Sequence, residues 1–428
     1  MNRRRSLLFA AVAMAAVPLF LLVDAATAYY RGWRVESRLD ALGLLAAVCC
    51  LLITGVCLLI PCGRRRLASR GPHLLLFMTT GVVAWLLAEA VVGISLRRPP
   101  RFHTRRPNLT VVSRARPEEL PGIVGESRYT TNSRAVRGPE FPAVRGTYRI
   151  LCVGGSTTEC FYLDDSESWP HLLMNRLNAE PRMQCTWVGD VGMPAMATWD
   201  HLTFIRQSPL MKEIDCVVAL TGVNDLHWFL QGGPPQKHPG PWWSRSPILA
   251  HLRASLHRWP EICVEDSDGA VYEERRQRRR NMTVIDALPD MEPALREYAG
   301  RIHEMARLCR EKNVRLLCVT QPVLWDAHLS PRSQSLLWMG WQQDQRCLTP
   351  AKLREGMERF NDTLRTVCQT LDLPCVDASS LSGGESLFYD DCHFNEQGAK
   401  ELADLIAAWF LDHKAGDRWA APHATNSQ

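Results

Sequence analysis

Three long apolar stretches open the chain, and short apolar runs alternating with amphipathic segments fill its second half. Ser6 to Val23 and Ala41 to Cys62 carry no charge, and Leu74 to Leu96 carries only Glu89. At a helical rise of about 1.5 Å per residue each stretch is about 27 to 35 Å long, which matches a bilayer core. The pattern predicts three membrane helices, at about 6–23, 41–62 and 74–96. Over 97–146 Arg and Pro are frequent and periodicity is weak, which predicts a juxtamembrane linker and an extended lead-in. Tyr148 to Val153, Cys185 to Val188, Asp215 to Leu220, Val314 to Val319 and Pro374 to Val376 are short, apolar or β-branched, and read as buried strands. Amphipathic stretches, Trp169 to Asn178, Pro293 to Lys312 and Pro350 to Leu371, lie between them, and Glu396 to His413 follows. Such alternation predicts an α/β domain over 147–415, a three-layer α/β/α sandwich around a five-stranded parallel, flavodoxin-like sheet. Leu226 to Asp290, with Gly, Pro and Trp clusters and the run EERRQRRR, breaks the rhythm and predicts an irregular insertion at about 226–290. Residues 416–428 read as a disordered tail.

Charge changes this picture little. A net charge of +5 on 428 residues demands no nucleic-acid partner. Basic residues flank the apolar stretches on both sides, so the Arg3-Arg4-Arg5 triplet sets the orientation: it stays in the cytoplasm, and everything after Leu96 lies outside. An Ala26-Thr27-Ala28 pattern after the first stretch also fits a signal-peptide cleavage site, which leaves the same orientation. The expected location is therefore a multi-pass membrane protein with an extracytoplasmic catalytic domain. Asp24 reads as an interfacial helix end and Glu89 as facing a helix partner.

Among the 15 cysteines, Cys152, Cys216 and Cys318 sit in predicted strands and read as small core residues. No C-x-x-C occurs, so zinc is not expected, while Cys160 with Cys185 and Cys368 with Cys375 stay open as pairs. The arginines of the EERRQRRR run read as a solvated face, with an anionic headgroup or polymer as the sharper alternative.

Ligands of parallel sheets bind beyond the C-terminal strand ends, so the segments after each strand carry the chemistry. The first strand ends in Gly154-Gly155-Ser156-Thr157, where glycines permit a tight turn and a following helix offers free N–H groups. The second is followed by Gly189-Asp190-Val191-Gly192 and the third by Thr221-Gly222-Val223-Asn224-Asp225, which can aim donors at a developing negative charge. Near the C-terminus comes Asp390-Asp391-Cys392-His393, where a carboxylate three residues before a histidine can hold one ring nitrogen while the other faces a serine. Each stretch also reads as an ordinary turn or helix cap.

Together the four stretches resemble, in order, the blocks of the SGNH hydrolase superfamily, also called the GDSL family, in its membrane-tethered bacterial form. The resemblance covers about residues 146 to 413, and the lead-in Tyr129 to Pro142 is similar to the segment before the G-G-S-T block of such members. It implies an esterase in which Ser156 attacks an acyl carbonyl, His393 is general base and then acid, and Asp390 orients the histidine. The implied oxyanion hole is the backbone N–H groups of Ser156 and Gly192 with the Asn224 side chain, and no metal or organic cofactor is implied. Gly155 stands where an aspartate is usual, Asp190 where asparagine is frequent, and Ala195 where a second glycine is frequent. Asp391 is the alternative to Asp390.

The expected function is hydrolysis of O-acyl esters, O-acetyl among them, on an envelope polysaccharide, peptidoglycan or lipid. An O-acyltransferase using the same acyl-serine, a catalytically silent glycan-binding module, and a glycosidase using Asp190 and Asp225 are the competing readings. Nothing in the sequence speaks to oligomeric state.

Overall fold

The computed structural model describes residues 104–143, 146–183, 185–233, 269–342 and 345–413, with single positions and short stretches elsewhere. The chain divides into two compact units, 1–99 with 235–261 and 100–234 with 262–428. The lead-in therefore belongs to the second unit, and part of the insertion belongs to the first.

In the first unit the described positions between Ala15 and Val91 are helical, apart from a bend at Ile60. Of the large apolar residues that stand exposed among the described ones, all but Val112, Val124 and Val284 lie between Leu19 and Val91. No helix among the described residues is long and apolar enough to cross a membrane, and much of the three predicted spans lies outside the described residues. Glu89 is half-buried and accepts hydrogen bonds from the Ser246 hydroxyl and, at 3.5 Å, from the Ile248 N–H, both in the insertion. The predicted tail lies outside the described residues as well.

The second unit opens with two short antiparallel strands, β1 (Thr110–Ser113) and β2 (Ser127–Thr130). Next come β3 (Tyr148–Gly154), the single turn α1 (Ser156–Glu159), α2 (Trp169–Ala179), β4 (Thr186–Asp190), α3 (Thr198–Gln207), β5 (Cys216–Leu220) and α4 (Val223–Leu230). The insertion contributes α5 (Ala270–Arg280) and β6 (Thr283–Ile285). They are followed by α6 (Glu292–Glu311), β7 (Arg315–Val319), α7 (Pro331–Ser335), β8 (Arg346–Leu348), α8 (Pro350–Leu371), β9 (Cys375–Val376) and α9 (Glu396–His413).

The five expected strands form one parallel sheet in the order β4-β3-β5-β7-β9, in which Ile150 of β3 lies between Val188 and Cys216. The chain first steps one way from β3 to β4 and then returns past β3 toward β9. Right-handed crossovers consequently send α2 to one face and α3, α6 and α8 to the other. The helix contacts agree: α2 packs on α9, while α6 packs on both α3 and α8. The reversal of direction falls between β3 and β5, and the crevice beyond their C-terminal ends is where such sheets bind ligands.

Local chemistry explains the element boundaries. Val217, Val218 and Leu220 are buried on both faces of a central strand, where β-branched side chains fit. α8 begins where the Thr349 hydroxyl accepts the Lys352 N–H at 3.3 Å with Pro350 at the first helical position, and it ends at Asp372 in the left-handed conformation. Its Leu353, Met357, Phe360, Leu364 and Val367 fall three or four apart and are buried.

One expectation needs correction. The insertion is not irregular throughout: the charged run winds into α5, because Glu, Gln and Arg are good helix formers, and β6 pairs in parallel with β8. The extended lead-in carries the β1–β2 ladder and meets the edge strand of the sheet at Asp190. Arg137, buried, exchanges two backbone hydrogen bonds of 2.9 Å with Asp190. Its guanidinium donates to the carbonyls of Glu159, Cys160 and Leu163 at 2.5 to 2.9 Å and to the Asp165 carboxylate at 2.9 Å. Arg137→Met should leave three carbonyls without their donor at about 1 to 3 kcal/mol each. Thermal unfolding should therefore shift downward by several degrees.

Candidate active site

The serine, histidine and aspartate singled out in the sequence come together beyond the C-terminal end of β3. Ser156 opens α1, and its hydroxyl lies 2.7 Å from Nε2 of His393. Nδ1 of His393 lies 2.7 Å from Oδ2 of Asp390. The three-residue spacing achieves this because Asp390 Oδ1 also accepts the backbone N–H groups of Cys392 at 3.0 Å and His393 at 2.8 Å, which curls the loop around the carboxylate. A Tyr389 N–H bond to the His393 carbonyl closes the turn.

Trp338 completes the shell of Asp390. Its indole Nε1–H donates to Oδ2 at 2.8 Å, a contact no sequence pattern announced. Asp390 is fully buried, and burial alone would raise its pKa; the neighbouring His393 and the converging N–H donors outweigh that and hold it below the usual carboxylate range. Asp391, the alternative, points elsewhere. It accepts Trp325 Nε1–H at 2.6 Å and the backbone N–H groups of Trp338 and Met339, which fixes the segment that carries the indole. Burial and the charge of Asp390 push Asp391 up to about 6.

The imidazole of His393 packs against a pair of tyrosine rings that also touch each other, with centroids 5.7 Å apart. Tyr389 stacks on it with centroids 5.4 Å apart and planes 5° from parallel, and Tyr272 of α5 meets it edge-on at 6.2 Å. The insertion helix thus forms one wall of the site. Asp390, Cys392 and His393 also bring a carboxylate, a thiol and an imidazole within 4.8 Å of one another. The carboxylate already accepts four N–H donors, and burial pushes the Cys392 thiol well above its ordinary range, so hydrogen bonding is the use this geometry supports.

The three expected oxyanion donors part company. The Ser156 N–H is the first of its helix and has no helical carbonyl to meet. Asn224 lines the same cleft as Ser156; its amide donates to the Met196 carbonyl at 2.7 Å, which leaves its second N–H. That amide lies so close to Gly155 that a β-carbon there would sit 2.2 Å from Nδ2, which explains a glycine in place of an aspartate. Gly192 differs from expectation. Its N–H donates to Asp190 Oδ1 at 2.6 Å, and Gly192 does not line the cleft. A carboxyl oxygen of Asp190 captures the donor, and the glycine is needed for space instead, since a β-carbon would stand 2.5 Å from the Glu159 N–H nitrogen. Asp225 accepts from the Thr198 hydroxyl and N–H, and neither Asp190 nor Asp225 lines the cleft. Asp190 and Asp225 therefore do not form the two-carboxylate pair of a glycosidase in this cleft.

The cleft has a volume of about 570 Å³ and includes Ser156, His393, Asn224, Tyr272 and Trp338 among its walls. Glu159 and Arg105, which the sequence reading passed over, also line it. The buried Glu159 carboxylate is pushed up by burial and countered by Arg105, whose Nε lies 2.7 Å away. The only advance signal was that Glu159 falls three residues after Ser156. Cys160, Cys185, Cys368 and Cys375 are all free thiols, so neither open pair is bonded.

This site sits on a recognisable family. The GDSL-like Lipase/Acylhydrolase family profile matches residues 152–401, and the chain belongs to that family, whose class is hydrolase and esterase. Solved structures similar to it include an acetylxylan esterase from Geobacillus stearothermophilus, at 12% identity over 61% of this chain and 93% of that one, with a TM-score of 0.36. A lipase/acylhydrolase from Enterococcus faecalis is 14% identical over 62% of this chain and 95% of that one, with a TM-score of 0.35. An alpha/beta hydrolase enzyme from the metagenome of Lake Arreo, Spain, is 13% identical over 61% and 94% respectively, with a TM-score of 0.35. None of the curated proteins compared with the chain matches it.

Burial raises the Asp190 carboxyl to about 8, so the folded protein keeps it protonated where the unfolded chain, near 3.9, has lost its proton. The contribution of this group to stability is fully present below about pH 4 and is lost as pH rises toward 8. Asp190→Asn keeps the acceptor for Gly192 and cannot ionise. The melting temperature of the variant should therefore gain on that of the unaltered protein between about pH 5 and pH 8, as read by thermal scans at matched pH.

Proposed function

We propose that this chain is a serine esterase that removes a small acyl group, acetyl among the candidates, from an ester on an envelope saccharide or lipid. The observation that carries the reading is the continuous hydrogen-bonded line from Ser156 Oγ through His393 to Asp390, each link 2.7 Å long. In this reading His393 takes the Ser156 proton on Nε2 as Oγ bonds to the acyl carbon, and the same proton passes to the leaving alcohol oxygen. Water then attacks the acyl-serine, giving its proton to His393, and the carboxylic acid leaves as Ser156 recovers its hydrogen. Asp390 holds the ring tautomer and balances the imidazolium. The Ser156 N–H and the second Asn224 amide N–H receive the oxyanion, two donors in place of the expected three.

The N-terminal unit, in this reading, anchors the enzyme in a membrane with the second unit outside the cytoplasm. Its support is the uncharged stretches of 18 and 22 residues and the third of 23 residues with Glu89 as its one charge, the leading Arg triplet, and the apolar side chains exposed between Leu19 and Val91. Such an anchor keeps the cleft close to surface-bound esters.

Turnover of p-nitrophenyl acetate by the full chain in detergent tests the chemistry. Ser156→Ala should lower kcat by a factor on the order of 10³ or more. Trp338→Phe keeps the ring and loses one hydrogen bond to an ionised carboxylate, worth about 1.5 kcal/mol or more, so kcat should fall about tenfold with KM little changed. Equal activity in the Ser156→Ala variant would sink the proposal.

A further inference from the structure

The arginines of the EERRQRRR run divide sharply once they are on α5. Arg276 is buried and donates to the Leu336 carbonyl at 3.2 Å, the Glu119 carboxylate at 3.0 Å and the Tyr389 carbonyl at 3.3 Å. Arg279 donates to the carbonyls of Met339 and Leu348, and Arg280 pairs with Glu273. Those three hold the helix to the domain or to itself. Arg275 and Arg278, three apart and so on one face of the helix, make no such hydrogen bond or ion pair among the described residues. Both are exposed, and both line the cleft that holds Ser156.

What they rest on is aromatic. The Arg275 guanidinium lies 4.7 Å from the Trp338 ring centroid and 5.4 Å from that of Tyr272, and Arg278 lies 4.0 Å from that of Trp341. A guanidinium stacked on a ring is held in place by its face while its N–H edge keeps its donors for a ligand. Tyr272 in turn meets the His393 ring at 6.2 Å, so this positive rim adjoins the reacting atoms. The acid in the same cleft, Glu159, is already matched by Arg105. Among the described lining residues the rings of Trp228, Trp338, Trp341, Tyr272 and Phe161 outnumber the aliphatic Val271, Ala195 and Pro194 and the thioether of Met339. Flat rings suit a sugar face, and a long acyl chain would call for aliphatic walls.

We propose that the ester taken by this cleft is carried on an anionic saccharide, whose carboxylate or phosphate docks on Arg275 and Arg278 while its ring lies along the tryptophans. The proposal rests on the esterase reading and adds the substrate class to it. A single anion bound by two guanidinium edges explains why the two side chains stay out of the ion pairs that their neighbours make.

The test uses the full chain in detergent and matched acetylated sugars. One pair is an acetylated methyl glucuronide and its neutral methyl ester; the other is acetylated glucose 1-phosphate and the acetylated methyl glucoside. Acetate release should favour the anionic member of at least one pair by about tenfold or more in kcat/KM, and the favoured pair names the anion. The ratio should fall toward one in Arg275→Gln/Arg278→Gln and survive in part in Arg275→Lys/Arg278→Lys, which keeps the charge but loses the fork. Ratios near one in the unaltered protein, or a ratio that the glutamine variant leaves intact, overturn the proposal. Faster turnover of a monoacyl phosphatidylglycerol than of either sugar anion overturns its saccharide part. Absence of p-nitrophenyl acetate turnover is a different failure, that of the esterase reading, and takes this proposal with it.

Discussion

Asp390 is a carboxylate with no access to water, and it stays ionised because four N–H groups converge on its two oxygens. Burying such a charge without partners is too costly to tolerate. The local fold is organised around meeting that cost: the loop curls so that Cys392 and His393 can donate, and Asp391 holds the segment that brings Trp338 within reach. The position of the His393 ring follows from the Asp390 bond and from the Tyr389 and Tyr272 rings packed against it. Ser156 needs only the end of β3 to arrive opposite it.

A second buried polar system supports the other side of the serine. Arg137 joins the lead-in to the carbonyls after α1, Arg105 matches Glu159, and Asp190 draws in the Gly192 N–H. The lead-in is thus part of the domain that shapes the site, and the departure of position 190 from asparagine has a structural consequence. The same loop that could present a donor to the cleft is turned inward by a carboxyl that burial keeps protonated up to about 8.

The parts legible in the sequence are those whose physics is local. Short β-branched apolar runs such as Val217 to Leu220, set between amphipathic stretches, read as buried strands, and the apolar spacing of Pro350 to Leu371 reads as the helix that became α8. Ser156, Asn224, Asp390 and His393 stand out because they follow strands or stand at a fixed short spacing, but each stretch alone reads equally as a turn or cap, and their roles come from the resemblance of the four blocks together to the SGNH superfamily. Trp338 was not legible, because it reaches Asp390 from 52 residues away through a loop with no periodic pattern. The direction of the Gly192 N–H was not, because a competing acceptor two residues back decides it. The sorting of the α5 arginines was also hidden. Five like side chains in one run look alike until tertiary partners absorb Arg276, Arg279 and Arg280 and leave Arg275 and Arg278 at the cleft.

In the proposed reaction Ser156 is the nucleophile that takes the acyl group, lined up by a histidine whose partner is Asp390 and not Asp391. The most direct measurement is rapid quenching of the full chain with p-nitrophenyl acetate, followed by peptide mass spectrometry, in the unaltered protein and in Asp390→Asn and Asp391→Asn. The account predicts an acetyl group on the peptide holding Ser156, formed far more slowly in Asp390→Asn than in an equally folded Asp391→Asn. An acetyl group on any other residue, or equal rates in Asp390→Asn and the unaltered protein, would contradict it.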